Sequence, residues 1–156
     1  MSKARVILQN VNSASLLMNN VDEWKSTVNN RGVVLYLSFM KGCTPEDVSK
    51  IVKQILQSKS ISTGLDNGKQ AICELDNFDI VIVPQASIAG KLKDKNFQYY
   101  QLIDKDTGLQ LYEHFVKEVH SMMTGREGTV IISGTYGNRQ GLQFSSDGPY
   151  CHIFDV

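Results

Sequence analysis

An excess of basic charge is missing from this sequence. Sixteen Lys and Arg are matched by sixteen Asp and Glu, for a formal net charge of +0. A nucleic-acid binder usually shows a basic excess, so any RNA contact must come from a local patch. Cysteine is scarce and odd in number: Cys43, Cys73 and Cys151 stand far apart. That excludes a disulfide framework and a Cys-x-x-Cys metal site, and reads as reduced thiols in cytosol. Long apolar runs are absent. The longest, Val33–Phe39, contains Ser38 and is strand-sized, far short of the roughly 20 residues of a membrane helix. Met1-Ser2-Lys3-Ala4-Arg5 lacks the apolar core of a secretory signal. There is no long linker, low-complexity tract or repeat. What is there, 156 residues with 42% hydrophobic and 21% charged residues, is ordinary for one soluble globular domain over residues 1–156, expected to be cytoplasmic and to have no membrane partner.

The chain reads as strand-rich with two helices. Arg5–Val11 is rich in β-branched and apolar residues, segments near Ser15–Met18 and Trp24–Val28 read as short strands with Asn-rich turns between them, and Arg31-Gly32 precedes the buried strand Val33–Phe39. Thr44 is a good N-cap, Pro45 suits the first helical position, and Glu46 and Asp47 follow in the first turn. Val48, Ile51, Val52, Ile55 and Leu56 then recur on one helical face. Asp66-Asn67-Gly68 is a turn signal, followed by strands near Gln70–Leu75 and Phe78–Val83. A second helix is expected from about Gly108 to Met122, with Leu111, Tyr112, Phe115, Val116 and Val119 inward. Thr129–Ser133, Gly141–Phe144 and Tyr150–Phe154 close the chain as strands. Strands cluster at both ends without regular alternation with helices. That disfavours a parallel doubly wound sheet and predicts an α+β fold with a mostly antiparallel, barrel-like sheet and two main helices.

Catalytic signatures are equally sparse. His114 and His120 lie six residues apart on the second helix, facing different directions, and read as surface residues. Cys151-His152 resembles a nucleophile and its base, but neighbours on a strand point to opposite faces, and Cys151 reads as a small buried thiol. No Gly-x-Ser-x-Gly elbow is present. Gly134-Thr-Tyr136-Gly137-Asn138-Arg139-Gln140-Gly141 has no Lys-Ser/Thr ending, so it is no P-loop. It is either a loop needing positive φ at Gly137 or Gly141, or a place where a ligand approaches the backbone. Lys91, Lys93 and Lys95, followed by Phe97, Tyr99 and Tyr100, put charge beside aromatics in a way that suits phosphates and bases, or form a solvated loop. Pro84-Gln85-Ala86-Ser87 follows a buried strand, and Gly148-Pro149 sits in the last turn.

Over nearly its whole length the chain resembles the D-aminoacyl-tRNA deacylase family. The opening Arg5–Val11, Arg31–Leu37, Asp66–Lys69 and Leu111–Val116 match in position and pattern. Pro84-Gln85-Ala86-Ser87 stands where the family has Ser-Gln-Phe-Thr, and Ser146-Asp-Gly-Pro149 where it has Asn-x-Gly-Pro. Cys151 replaces the usual Thr after Gly-Pro. Pro84-Gln-Ala together with Gly134–Gln140 is similar to a second branch, the animal-type tRNA deacylase, expected to act on L-alanine misattached to a threonine tRNA. The resemblance implies a β-barrel-like homodimer that hydrolyses the ester of mischarged tRNA as a proofreading step, with the aminoacylated 3′ end as partner and no cofactor or metal. It implies that Gln85, Ala86 and Ser87 form the catalytic segment, with the N–H groups of Ala86 and Ser87 as oxyanion donors, and that the tRNA 2′-OH takes part. Pro84, Tyr136, Asn138, Arg139, Gly148, Pro149 and Cys151 become the expected substrate contacts, the Gly-Pro loop reaching into the partner subunit's pocket. Lys91, Lys93 and Lys95 become the expected tRNA contacts. The alternative is a catalytically weakened member that binds aminoacyl-tRNA or amino acids without cleaving.

Overall fold

A computed structural model describes residues 2–62 and 68–156; the expected turn at Asp66-Asn67 lies outside them. The strands are β1 (Ala4–Val11), β2 (Ser13–Leu17), β3 (Trp24–Ser26), β4 (Gly32–Phe39), β5 (Lys59–Ser62), β6 (Lys69–Ala71), β7 (Asp79–Pro84), β8 (Lys91–Lys93), β9 (Asn96–Gln98), β10 (Val130–Ser133), β11 (Leu142–Ser145) and β12 (Cys151–Asp155). The helices are α1 (Pro45–Gln57) and α2 (Lys105–Met122).

A five-stranded sheet, in the order β10-β7-β4-β1-β12, forms the frame. β1 pairs antiparallel with β4 and β12, whereas β4, β7 and β10 run parallel. Alternate side chains of β4 face opposite ways and both faces are covered. Val33, Leu35, Leu37 and Phe39 pack with α1 and α2, and Val34 packs with Leu16 of β2 in a second cluster. A three-stranded sheet, β11-β2-β3, carries that second layer. The fold is α+β and most strand pairings are antiparallel, as the sequence indicates. Among the described residues no sheet closes into a barrel, and the parallel trio was not anticipated. Each of its crossovers contains one helix, and the many short strands between obscure that alternation.

α1 matches its sequence signals closely. The Thr44 hydroxyl accepts from the Asp47 N–H (3.2 Å) and the Asp47 carboxylate accepts from the Thr44 N–H (3.0 Å), a capping box. α2 begins at Lys105, three residues before the expected start, because Asp104 is its N-cap and accepts from the Thr107 N–H (3.0 Å). Gly108 lies inside the helix, where a Cβ would collide with the Tyr136 hydroxyl. Val116 is only partly buried. The segment Ile72–Glu74, expected as strand, is a 3-10 turn. His120 is exposed as expected, but His114 is half-buried: its Nε2 lies 2.9 Å from the Ser49 hydroxyl of α1 and 3.4 Å from Glu118. The crossing of the two helices decides that contact. Cys151 is exposed, not buried, because β12 is an edge strand and this face of it has no covering layer.

One buried carboxylate ties the layers together. Asp79, 1% exposed, accepts from the N–H of Val28 and Asn29 and from the Asn29 side-chain amide. Gly32 is required beside it, since a Cβ there would strike the Asp79 carbonyl oxygen.

Candidate active site

Because β4, β7 and β10 are parallel, their carboxyl ends emerge together, and ligands of α/β sheets bind at such ends. A cavity of about 420 Å³ opens there. Its floor is Leu37, Ser38 and Phe39 from the end of β4 and Pro84, Gln85 and Ala86 from the end of β7. Leu102, Ile103 and Lys105, leading into α2, form one wall, and Tyr136, Gly137, Asn138 and Arg139, after β10, form another.

Each wall has a local cause. Pro84 ends the β7 ladder opposite Leu37, and the Gln85 N–H still reaches the Leu37 carbonyl (2.8 Å). The chain then enters the 3-10 turn Ala86–Ala89, where the Ile88 N–H returns to the Gln85 carbonyl (3.3 Å). The first N–H groups of such a turn have no partner within it. Among the described residues the N–H groups of Ala86 and Ser87 make no backbone hydrogen bond outside it either. They are two adjacent free donors at the end of β7. The opposing loop is fixed from beneath: the Tyr112 hydroxyl donates to the Gly134 carbonyl (2.6 Å), and the Tyr112 and Tyr136 rings lie 5.6 Å apart. Burial raises the pKa of both phenols, so both remain protonated at neutral pH. Thr135–Asn138 is a turn closed by the Asn138 N–H on the Thr135 carbonyl (3.3 Å), with Gly137 at φ +88°, the conformation that such a turn asks of its third residue.

The structure therefore brings Pro84, Gln85, Ala86, Tyr136, Asn138 and Arg139 to one cavity. Ser87 follows on the same turn, exposed and outside the lining. Lys105, Leu102, Ile103 and Ser38 were not anticipated. Asp104, directly after Leu102-Ile103, could have marked the start of α2, but nothing in the sequence marks Lys105 itself. Ser38 carries a buried hydroxyl without a hydrogen-bond partner among the described residues, the one polar residue in an otherwise apolar run. Lys91 and Lys93 lie on β8 and Lys95 in the turn to β9, all exposed. They sit on a hairpin rather than a loop, joined directly to the 3-10 turn at the cavity.

Gly148, Pro149 and Cys151 are not at this cavity. Gly148, with φ +61°, borders a separate cavity of about 400 Å³ with Asn10, Arg31, Asp147 and Tyr150. The Asn10 side chain accepts from the Tyr150 N–H (2.7 Å) and holds the loop. The register fixes how far away this is. Cys151 pairs with Gln9 and Gln9 with Val34, so the Gly-Pro loop before Cys151 lies toward Gly32, whereas the cavity begins at Leu37. Five residues of strand, plus two strand spacings sideways, separate the Gly-Pro loop from the cavity by about 15–20 Å. No peptide bond among the described residues is cis, so Gly148–Pro149 is trans. Among the described residues no three His, Cys, Asp or Glu side chains cluster as a metal site, and no helix is long and apolar enough to cross a membrane.

Residues 7–155 match the model of a family described as D-Tyr-tRNA(Tyr) deacylase. The chain belongs to this family. It is 38% identical to D-aminoacyl-tRNA deacylase 2 of Danio rerio over 98% of this chain and 99% of the relative. To D-aminoacyl-tRNA deacylase 2 of Homo sapiens it is 36% identical over 98% and 95%. A solved structure described as a probable eukaryotic D-amino acid tRNA deacylase superposes with a TM-score of 0.87 at 34% identity, covering 99% of this chain and 100% of that one. Both curated relatives bear the name of the type-2 deacylase, which agrees with the motif pattern of the animal-type branch.

Proposed function

We propose that this chain is an aminoacyl-tRNA deacylase that hydrolyses the ester bond of mischarged tRNA, a reading the names of its relatives support, and that it acts in the cytosol. The observation that carries the reading is the pair of free N–H groups at Ala86 and Ser87, beside a cavity whose lining has no His, Cys, Asp or Glu among the described residues. Water attacks the ester carbonyl, negative charge collects on its oxygen, and the two N–H groups stabilise that charge. One such donor typically contributes about 100- to 1000-fold in rate. The 2′-OH of the terminal ribose serves as the proton-carrying group that no side chain supplies. Tyr136, Asn138 and Arg139 hold the substrate, and the lysine hairpin meets the tRNA backbone.

The active unit in this reading is a homodimer. A Gly-Pro loop placed about 15–20 Å from its own cavity along the sheet contributes to hydrolysis only in a second copy. Ala86 stands where an aromatic ring is usual in the family, which frees space for a small L-side chain. One methyl group discriminates by only about 1–3 kcal/mol, so the tolerance is confined to small residues.

A single-turnover panel with D-tyrosyl-, glycyl-, D-alanyl- and L-alanyl-tRNA tests this. Hydrolysis of L-alanyl-tRNA is expected. If L-alanyl-tRNA is untouched while D-alanyl-tRNA is cleaved, the chain is an ordinary D-specific member. If all four bind and none is cleaved, the binding-module reading replaces the enzyme.

A further inference from the structure

The cavity at the ends of β4, β7 and β10 is lined by two cations, Lys105 and Arg139, and by no acidic residue. Among the described residues neither cation has an ion-pair or hydrogen-bond partner; Arg5 there is paired with Asp155. Both side chains are exposed and line the same cavity, where a bound anion can accept charge-assisted hydrogen bonds from each. The acids nearest in sequence are otherwise placed, although burial raises the Tyr136 pKa and Asp104 is near enough to add to that. The Asp104 carboxylate is held by the Thr107 N–H as the cap of α2, and Asp104 is outside the lining. Asp106 is exposed and likewise outside it.

Their mounting also fits an anion. Lys105 is the first residue of α2, an 18-residue helix whose N-terminal dipole end favours negative charge. Its stem runs past Gly137, where a Cβ would lie 3.2 Å from the Lys105 Cε. Lys105 thus lies against the loop bearing Arg139 at one opening whose floor includes Ala86, with Ser87 next along the turn.

We propose that Lys105 and Arg139 clamp the phosphate on the 5′ side of the substrate's terminal nucleoside. This rests on the deacylase reading above and adds the group that places the ester. The acyl-bearing end of an aminoacyl-tRNA is a nucleoside whose nearest charge is that phosphate. With the carbonyl on the floor of the cavity, the phosphate lies toward the rim, where the two cations are. The clamp makes the site read a nucleotide rather than any amino-acid ester. The chemistry shared with free phosphate is excluded by geometry only if the acyl group is engaged at the same time, so the test varies the phosphate on the substrate itself.

Hydrolysis rates of 3′-aminoacyl-adenosine, 3′-aminoacyl-adenosine 5′-phosphate and aminoacyl-tRNA are compared for the full chain, for Lys105→Gln, for Arg139→Gln and for Arg139→Lys. The informative quantity is the ratio of kcat/KM with and without the 5′-phosphate, since partial misfolding lowers both rates alike. Charge-assisted hydrogen bonds predict a ratio on the order of 10- to 100-fold in the unaltered chain. That ratio should fall toward one in Lys105→Gln and Arg139→Gln and be largely retained in Arg139→Lys. Added inorganic phosphate should inhibit the unaltered chain more strongly than Lys105→Gln. Equal rates with and without the phosphate in the unaltered chain overturn the clamp while leaving the deacylase reading intact. Absence of hydrolysis on all three substrates overturns the deacylase reading instead. A ratio unchanged by both Gln substitutions means the phosphate is held elsewhere, and the clamp is wrong.

Discussion

Ala86 has no functional group in its side chain, so the role proposed for it in the reaction rests on its N–H alone. Ala86→Pro removes that donor, and Gln85 at φ −143°, ψ 92° is outside the α region that a following proline disfavours, so a modest change in ψ accommodates it. We expect kcat to fall by about 100- to 1000-fold, with thermal stability nearly unchanged and Ala86→Gly, which keeps the N–H, close to the unaltered chain. An Ala86→Pro enzyme within about tenfold of normal would remove Ala86 from the oxyanion role. The second residue-scale prediction concerns the thiol. Cys151 is exposed on β12 and points away from His152, its neighbour, and the cavity lies elsewhere. Activity should survive Cys151→Ala and a chelator; a loss of more than about 100-fold, roughly 2.7 kcal/mol of barrier, contradicts this. At this scale the sequence was readable where chemistry is local, as in Thr44, Pro45 and Gly137. It was silent on Lys105, because a lysine in a polar stretch has no mark that separates it from solvated ones until the fold places it over a cavity.

Among the elements, α1 gives a pH prediction. The Asp47 carboxyl is held below the usual range mainly by the Thr44 N–H it accepts from. A lowered folded value means stabilisation that is complete above the unfolded pKa, about 3.9, and lost as pH falls through the folded one. Asn mimics the protonated carboxyl in shape. The difference in melting temperature between the unaltered chain and Asp47→Asn should therefore be constant from about pH 7 to 5 and shrink below about pH 4. A difference that grows on acidification would show the sign to be wrong. The hairpin β8–β9 gives another. Replacing Lys91, Lys93 and Lys95 by Gln should weaken tRNA binding and flatten its salt dependence by about 0.7–0.9 in log–log slope per lost phosphate contact. Unchanged affinity and slope would leave the hairpin a solvated surface. Long elements with caps or apolar periodicity, α1 and β4, were legible. Three-residue strands such as β8 and β9 were not, because an alternation needs more residues than they have. Ile72–Glu74 looked like a strand through its apolar content, yet its backbone turns.

The whole molecule separates the two motifs that matter most. Gly148–Pro149 sits beside Asn10, toward the start of β4, and Ala86 lies beyond its end. If the working site combines both, two defective chains should complement each other. Ala86→Pro damages the floor of one cavity. Gly148→Val damages the loop, since φ +61° is strained for a β-branched residue. Each homodimer should be inactive, while a refolded mixture should regain activity through one intact site per mixed dimer. Sedimentation should show a dimer throughout. Activity of the Gly148→Val protein alone, or no recovery on mixing dimers that do exchange, refutes the composite site.

By itself the sequence determined the local rules: which segments extend, where α1 starts, that a triad and a membrane helix are missing, and, through two short motifs in a matching frame, the family. These depend on residues near one another in the chain, where caps, proline and alternation act. The parallel alignment of β4, β7 and β10, the cavity their ends create, the two cations that line it and the distance to the Gly-Pro loop were decided only by the tertiary structure. Strand direction and pairing are set by packing both faces of the central sheet at once. That is a balance of long-range contacts which no short stretch of sequence carries.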